Sequence, residues 1–276
     1  MTPLFLRAIK FVIGGAFIAV LLLALAGSIT GLIKEPPKPT AETEFHKHPQ
    51  DLDLASNGPF GKFDKQQLQR GFKVYKEVCS TCHSLSLVAF RNLGDLGYNE
   101  AQVKKIAKDW AIKQRTFDEK AGTWGERDNV PSDRFPKVYY PGTGNPPDLS
   151  LITKARHDGA AYVYSLLTGY ENQPPALLAK FPGAKTPDGM YYNPYFANLN
   201  IAMPPPLTAD GQVTYDDGTP STKDQMAKDV AAFLVWTAEP TLQTRHQAGL
   251  AVILFLMFAT VLTYGAYQTV WRGVKH

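Results

Sequence analysis

Two cysteines in 276 residues leave this chain without the means for a disulfide network, so a scaffold of stapled loops is excluded. A zinc site built on two cysteine pairs is excluded with it. Acidic residues are missing from both ends: all 25 lie between residues 34 and 244. Outside that window stand Arg7, Lys10, Arg245, Arg272 and Lys275, with no acid among them. The formal charge of +4 therefore belongs to the ends, and the middle carries the other 24 bases against 25 acids, a net of −1. A middle so balanced gives nucleic-acid binding no compositional support. Strand-like alternation is scarce, and no internal repeat is present. With 44% hydrophobic residues, 22 glycines and 21 prolines, the composition is that of a loop-rich globular protein, not a disordered one.

Both ends hold long uncharged runs. Residues 11–33 are 23 residues without a charge, and residues 247–271 are 25; a helix needs about 20 apolar residues to cross a bilayer core. The second run has Tyr264, Tyr267 and Trp271 toward one end, followed by Arg272 and Lys275. Interfacial aromatics and flanking bases predict an exit on the cytoplasmic side. The first run follows Arg7 and Lys10 and contains Ala24-Leu25-Ala26 before Gly27. That pattern favours a cleaved signal peptide, with a retained anchor as the alternative. Either way the segment between is exported. The expected division is a signal peptide or membrane segment over residues 1–33, an exported domain over 34–244, and a transmembrane anchor with a short cytoplasmic tail over 245–276.

Within the exported part, residues 34–59 are polar and proline-rich and predict an extended arm, with His46 and His48 as solvated loop residues. Asp64, with Gln67 three residues on, predicts a capped helix carrying Leu68, Phe72 and Tyr75 on one face. Residues 100–111 and 160–168 predict two further helices. Ser221 with Asp224 predicts a capping box that opens a last soluble helix, ended by Glu239-Pro240. Residues 113–145 read as irregular, and residues 174–206 as mostly proline-rich loop. Long loops of this kind are uncommon in a compact domain unless something organises them, and a large buried apolar cofactor would do so.

Both cysteines fall in one stretch, Cys79-Ser80-Thr81-Cys82-His83. A redox Cys-x-x-Cys usually follows a strand, whereas a helix precedes this one. A structural zinc site needs four ligands, and this stretch offers three at most. The remaining chemistry is covalent c-type haem attachment: two thioethers from Cys79 and Cys82, and His83 placed to bind the iron. For the opposite axial position the thioethers are Met1, Met190, Met203, Met226 and Met257, with His157 a further candidate. Met203 precedes Pro204-Pro205-Pro206, and such prolines stiffen a loop. Stiffness favours Met203 over Met190, without eliminating it. His/Met ligation would fill both axial positions, raise the reduction potential and leave no open site.

Four stretches carry a resemblance: residues 70–85 (RGFKVYKEVCSTCHSL), 146–170 (PPDLSLITKARHDGAAYVYSLLTGY), 190–207 (MYYNPYFANLNIAMPPPL) and 216–240 (DDGTPSTKDQMAKDVAAFLVWTAEP). In this order, followed by the tail anchor, they resemble the cytochrome c1 family, the membrane-anchored haem subunits of ubiquinol–cytochrome c oxidoreductase (cytochrome bc1) complexes. The resemblance implies a mainly α fold: a loop-rich c-type cytochrome domain wrapped round one haem, with a C-terminal transmembrane helix. It implies one covalently attached haem c on Cys79 and Cys82, with His83 and Met203 as axial ligands. It also implies haem-pocket roles for Pro146, Pro147 and Tyr162, and for Arg156 near a propionate. The implied partners are cytochrome b, the Rieske iron–sulfur protein and a soluble or anchored cytochrome c, in a dimeric complex of the bacterial inner membrane with its haem domain in the periplasm. Asp118, Glu119, Glu126 and Asp128 offer a docking surface for a lysine-bearing cytochrome, with solvated loop charge as the alternative. A membrane-anchored haem peroxidase or reductase with an open distal site is the rival function. The segment 141–145 (PGTGN) departs from the family's usual alanine- and asparagine-containing loop, and no cysteine remains for an extra disulfide.

Overall fold

A computed structural model describes residues 3–36, 38–142 and 144–274, with side chains from residue 9 onward. Met1, the Arg7 side chain, Thr143 and Lys275 lie outside the described residues. The chain divides into two units, Met1–Glu44 and Phe45–His276. The first is dominated by α1 (Pro3–Lys34). Its stretch Ile9–Lys34 has a mean hydropathy of 2.5 and none of it is buried. At ~1.5 Å per residue such a helix is longer than the ~30 Å apolar layer of a bilayer. A short helix, α2 (Ala41–Phe45), follows.

The second unit is built on four helices that share one core: α3 (Lys65–Val74), α4 (Glu100–Lys108), α6 (Gly159–Thr168) and α8 (Lys223–Ala238). A single turn, α5 (Ile152–Ala155), precedes α6. Asp64 caps α3, its Oδ1 accepting from the N–H groups of Gln66 and Gln67. The Gln67 side chain instead reaches Asp229 on α8, so the cap is single and not a capping box. The cap of α8 lies one residue later than the sequence predicts. Thr222 Oγ1 accepts from Gln225 N, while Ser221 turns away to donate to Val213 O. Helix α4 is closed at its start by a reciprocal pair, Asn99 with Gln102, and stops three residues short of its predicted end.

The crossing of α3 on α8 is close. A Cβ on Gly71 would stand 2.1 Å from Asp229 O and 2.6 Å from Phe233 Cβ. Beside it the fully buried Asp229 carboxylate accepts from Arg70 Nε at 2.9 Å, from Gln225 Nε2 at 2.8 Å and from Gln67 Nε2 at 3.2 Å. Removing one partner of such a buried pair is strongly destabilising, because it leaves the other group uncompensated. Arg70 also donates to Asp217. Around this crossing Phe72, Tyr75, Phe90, Trp110, Phe135 and Phe233 pack ring against ring. These rings belong to one continuous cluster of buried side chains.

A Thr219 backbone N–H and Arg70 hold the Asp217 carboxyl down at about 2. A group depressed in the folded state stabilises it above the ordinary value and ceases to do so as pH falls. The Asp217 contribution is therefore complete above the ordinary 3.8 and is lost as pH falls through about 2. Carboxyl carbon NMR across that range should show Asp217 titrating near 2; a midpoint near 3.8 would remove the Arg70–Asp217 link.

Two parts of the fold depart from the sequence expectation of loop. Residues 113–145 contain a hairpin of β1 (Gln114–Asp118) and β2 (Thr123–Arg127), paired antiparallel with Phe117 opposite Trp124. Those rings stand 5.4 Å apart, and the Arg115 guanidinium lies 5.3 Å from the Trp124 ring. Both strands are almost wholly exposed, so no one-sided burial imprinted an apolar alternation on them. Residues 174–206 contain α7 (Pro175–Lys180) and a short pair, β3 (Tyr191–Tyr192) with β4 (Asn200–Ile201). Polar side chains organise this stretch. Buried Asn193 donates to Leu166 O and accepts from Tyr195 N, and Gln173 bridges Ala184 O and Thr186 N. Leu199 is held at φ +63, a left-handed conformation costly to leucine, with its side chain buried and its N–H bonded to Phe196 O.

The last helix, α9 (Leu242–Trp271), begins five residues before the uncharged run it contains. Its 30 residues have a mean hydropathy of 2.1 and are exposed along the spanning window. It is long and apolar enough to cross a bilayer, as a membrane anchor must be.

Candidate haem-binding site

Helix α3 runs directly into a π-turn, Tyr75–Cys79, closed by Ser80 N–H donating to Tyr75 O at 2.8 Å. Such widened turns are rare and recur at functional sites. The chain then tightens: Cys82 N and His83 N both donate to Cys79 O, at 3.1 and 2.9 Å. Cys79 and His83 are consequently one turn apart on a common face, with Cys82 beside them. All three are half-buried, and both thiols are free of a disulfide. Burial, with Cys82 adding to it, pushes the Cys79 thiol up to about 12. A redox Cys-x-x-Cys needs the opposite shift in its attacking thiol.

His83 is oriented from two sides. Its Nδ1 lies 2.8 Å from Pro147 O. A carbonyl can only accept, so Nδ1 carries the proton and the Nε2 lone pair is left free. The Tyr75 hydroxyl donates to the His83 carbonyl at 2.9 Å. Burial lowers the His83 pKa and so favours the neutral ring, opposed by the Pro147 bond and the Asp148 charge. A neutral imidazole with a fixed Nδ1–H and an open Nε2 is the form that binds a metal. The Pro147 ring is exposed and its carbonyl meets His83; Pro146 is half-buried.

The glycine-rich segment before Pro146 leads to the other half of the site. Gly144 has φ +94, and a Cβ on it would touch Ala202 Cβ at 3.8 Å. One end of the loop 144–147 therefore meets His83 and the other meets the residue before Met203. Met203 is half-buried, and its carbonyl accepts from the Tyr170 hydroxyl at 3.1 Å. Met190 is also half-buried; with Tyr170, Tyr191 and Pro205 it lines a shallow depression behind that loop. Met226 is fully enclosed in α8, and Met257 lies on α9. His157, His46 and His48 are exposed. Tyr162 is half-buried; burial raises its pKa, and the nearby Arg156 guanidinium opposes the shift. Arg156 is exposed and donates to Ala155 O.

Half-buried Val78, Cys79, Ala160, Tyr162 and Leu167 continue the core toward the surface. Free thiols at this spacing, a neutral imidazole and an apolar margin fit a covalently held haem. The acids named for docking have local partners. Asp118 caps the hairpin turn, Glu126 faces Arg115 across it, and Asp128 pairs with Lys113 at 2.9 Å. Among the described residues, no group of three or more His, Cys, Asp or Glu could hold a separate metal ion.

A profile described as the Cytochrome C1 family matches residues 54–274. The chain belongs to the cytochrome c1 family. Curated relatives agree. "Cytochrome c1" of Rhodospirillum rubrum is 42% identical over 241 residues, covering 81% of this chain and 88% of that protein. "Cytochrome c1, heme protein, mitochondrial" of Saccharomyces cerevisiae is 40% identical over 227 residues, covering 79% and 71%. "Cytochrome b/c1" of Bradyrhizobium diazoefficiens is 46% identical over 237 residues; the match takes in 78% of this chain but 34% of that longer protein. As a family member the chain carries a covalently bound c-type haem and is an electron-transfer haem subunit of a cytochrome bc1 complex. The mainly helical fold with its apolar C-terminal helix is the one expected.

The sequence reading names Cys79, Cys82, His83 and Met203 and passes over Asp148, Tyr75 and Tyr170, whose side chains bond the backbone of Ser86, His83 and Met203; no residue pattern records such a bond.

Proposed function

We propose that this chain relays single electrons from the Rieske iron–sulfur protein to a cytochrome c. Cys79 and Cys82, both free thiols, would hold the haem covalently through their sulfurs. His83 through Nε2 and Met203 through its sulfur would bind the iron. Pro146, Pro147 and Tyr162 would line its pocket, and Arg156 would offer a guanidinium to a propionate. When bound, the haem supplies a one-electron iron couple. The protein's part is to occupy both axial positions and exclude substrate, so no turnover is expected from this chain alone. The observation that carries this reading is the Nδ1–H bond from His83 to Pro147 O, which fixes the tautomer that a metal ligand requires.

The exported domain over 34–244 lies in the periplasm, residues 1–33 are a signal peptide or first membrane segment, and 245–276 anchor the domain with the C-terminus inside. The complex is a dimer that includes cytochrome b. Purification in mild detergent, followed by a reduced-minus-oxidised spectrum, tests the assignment. Co-purifying b-type haem and the Rieske cluster's EPR signal are expected; a c-type haem alone would overturn it.

A further inference from the structure

Asp148 follows the proline whose carbonyl meets His83, and its two oxygens join two segments. Oδ1 accepts from Ser150 N within its own segment, and Oδ2 accepts from Ser86 N in the segment just past His83, each at 2.8 Å. The same two segments are laced by Leu149 N to Ser84 O at 2.9 Å and Leu87 N to Ser150 Oγ at 3.1 Å. No regular strand is formed, so these side-chain ties replace a ladder. Proline fixes φ of its own residue, yet the Pro147 carbonyl turns about Pro147 ψ and Asp148 φ. The proline ring leaves both angles free; the Asp148 clamp restrains the second.

We propose that Asp148 is a positioning residue for the His83 imidazole. By clamping residues 148–150 to 84–87 it holds the Pro147 carbonyl on the Nδ1 proton, and it fixes a carboxylate near the ring. A carbonyl held on Nδ1–H raises the basicity of Nε2. A nearby fixed anion favours the more positive state of whatever Nε2 binds. Both effects stabilise ferric over ferrous iron, so both lower the reduction potential. The inference rests on the reading of His83 as an iron ligand.

Two variants of the membrane-bound holoprotein test it. Asp148→Asn keeps the shape, removes the charge and can accept from only one of the two N–H groups. Asp148→Ser keeps only the short bond to Ser150 N. Both are expected to raise the midpoint potential in a redox titration. Both should also speed solvent exchange of the His83 Nδ1 proton, followed by NMR in the ferrous protein, by at least about tenfold, the equivalent of one weakened hydrogen bond. A midpoint and an exchange rate equal to wild type in both variants would overturn the proposal. So would failure of both to yield holoprotein, which would make Asp148 a general folding residue. If the wild-type ferrous spectrum lacks the ring-shifted imidazole signals of an iron-bound His83, the ligand assignment fails instead, whatever the variants do.

Discussion

Replacing Gly71 with alanine is expected to cost about 3 kcal/mol or more, the upper part of the range for overpacked cores. The added Cβ would meet Asp229 O at 2.1 Å and the Phe233 Cβ at 2.6 Å. The first of these is backbone and cannot rotate away, so α3 must lift from α8 by the shortfall in contact distance. That movement strains the Arg70–Asp229 pair and parts Phe72 from Phe233. It also shifts Tyr75, whose hydroxyl holds the His83 carbonyl. A loss of this size in a chain of over 200 residues lowers the unfolding temperature by roughly 6–12 °C. Gly94→Ala is the control, because nothing lies within 4 Å of its added Cβ. Scanning calorimetry of the detergent-solubilised holoprotein decides the matter. Equal unfolding temperatures for the two variants would mean that α3 and α8 do not cross at Gly71.

The Met203→Leu variant is expected to change the chemistry more than the fold. Leucine matches methionine in volume, and such swaps usually cost less than about 1.5 kcal/mol. What is lost is the thioether sulfur. If Met203 is the second ligand, as proposed, the variant's iron would have an open or exchangeable position, and the potential should fall, because Met/His ligation raises it. The ferrous protein should then bind carbon monoxide, which the wild type should not. Met190→Leu is the matched comparison, since Met190 lies behind the same loop. An effect confined to Met190→Leu would move the distal ligand there. A wild-type protein that already binds carbon monoxide would favour the peroxidase or reductase reading.

The acidic docking surface shows where local reasoning stops. Asp118, Glu119, Glu126 and Asp128 are close in sequence, and a charge count places them together. The hairpin sets Glu126 opposite Arg115, and Lys113 pairs with Asp128, neighbours that chain order does not reveal. The hairpin itself was invisible for a related reason. Period-two alternation arises when one strand face is buried, and here nearly every position of both strands is exposed. The boundary of α8 shows the opposite case. A cap was foreseen at Ser221 and found at Thr222, because two adjacent hydroxyls compete for one role and Val213 O took the other.

By itself the sequence determined what depends on spacing along the chain. Two thiols three residues apart with an adjacent histidine, uncharged runs long enough for a bilayer, the capped amphipathic helices and the stiff Met203 loop all follow from covalent connectivity and periodicity. Only the tertiary structure decided which distant backbone groups those residues meet. It set Pro147 O on His83 Nδ1, Asp148 across to Ser86, Tyr170 beneath Met203 and Asp229 against Gly71. A carbonyl or an amide is the same in every residue, so nothing in the one-dimensional order marks the one chosen; packing of the helices selects it.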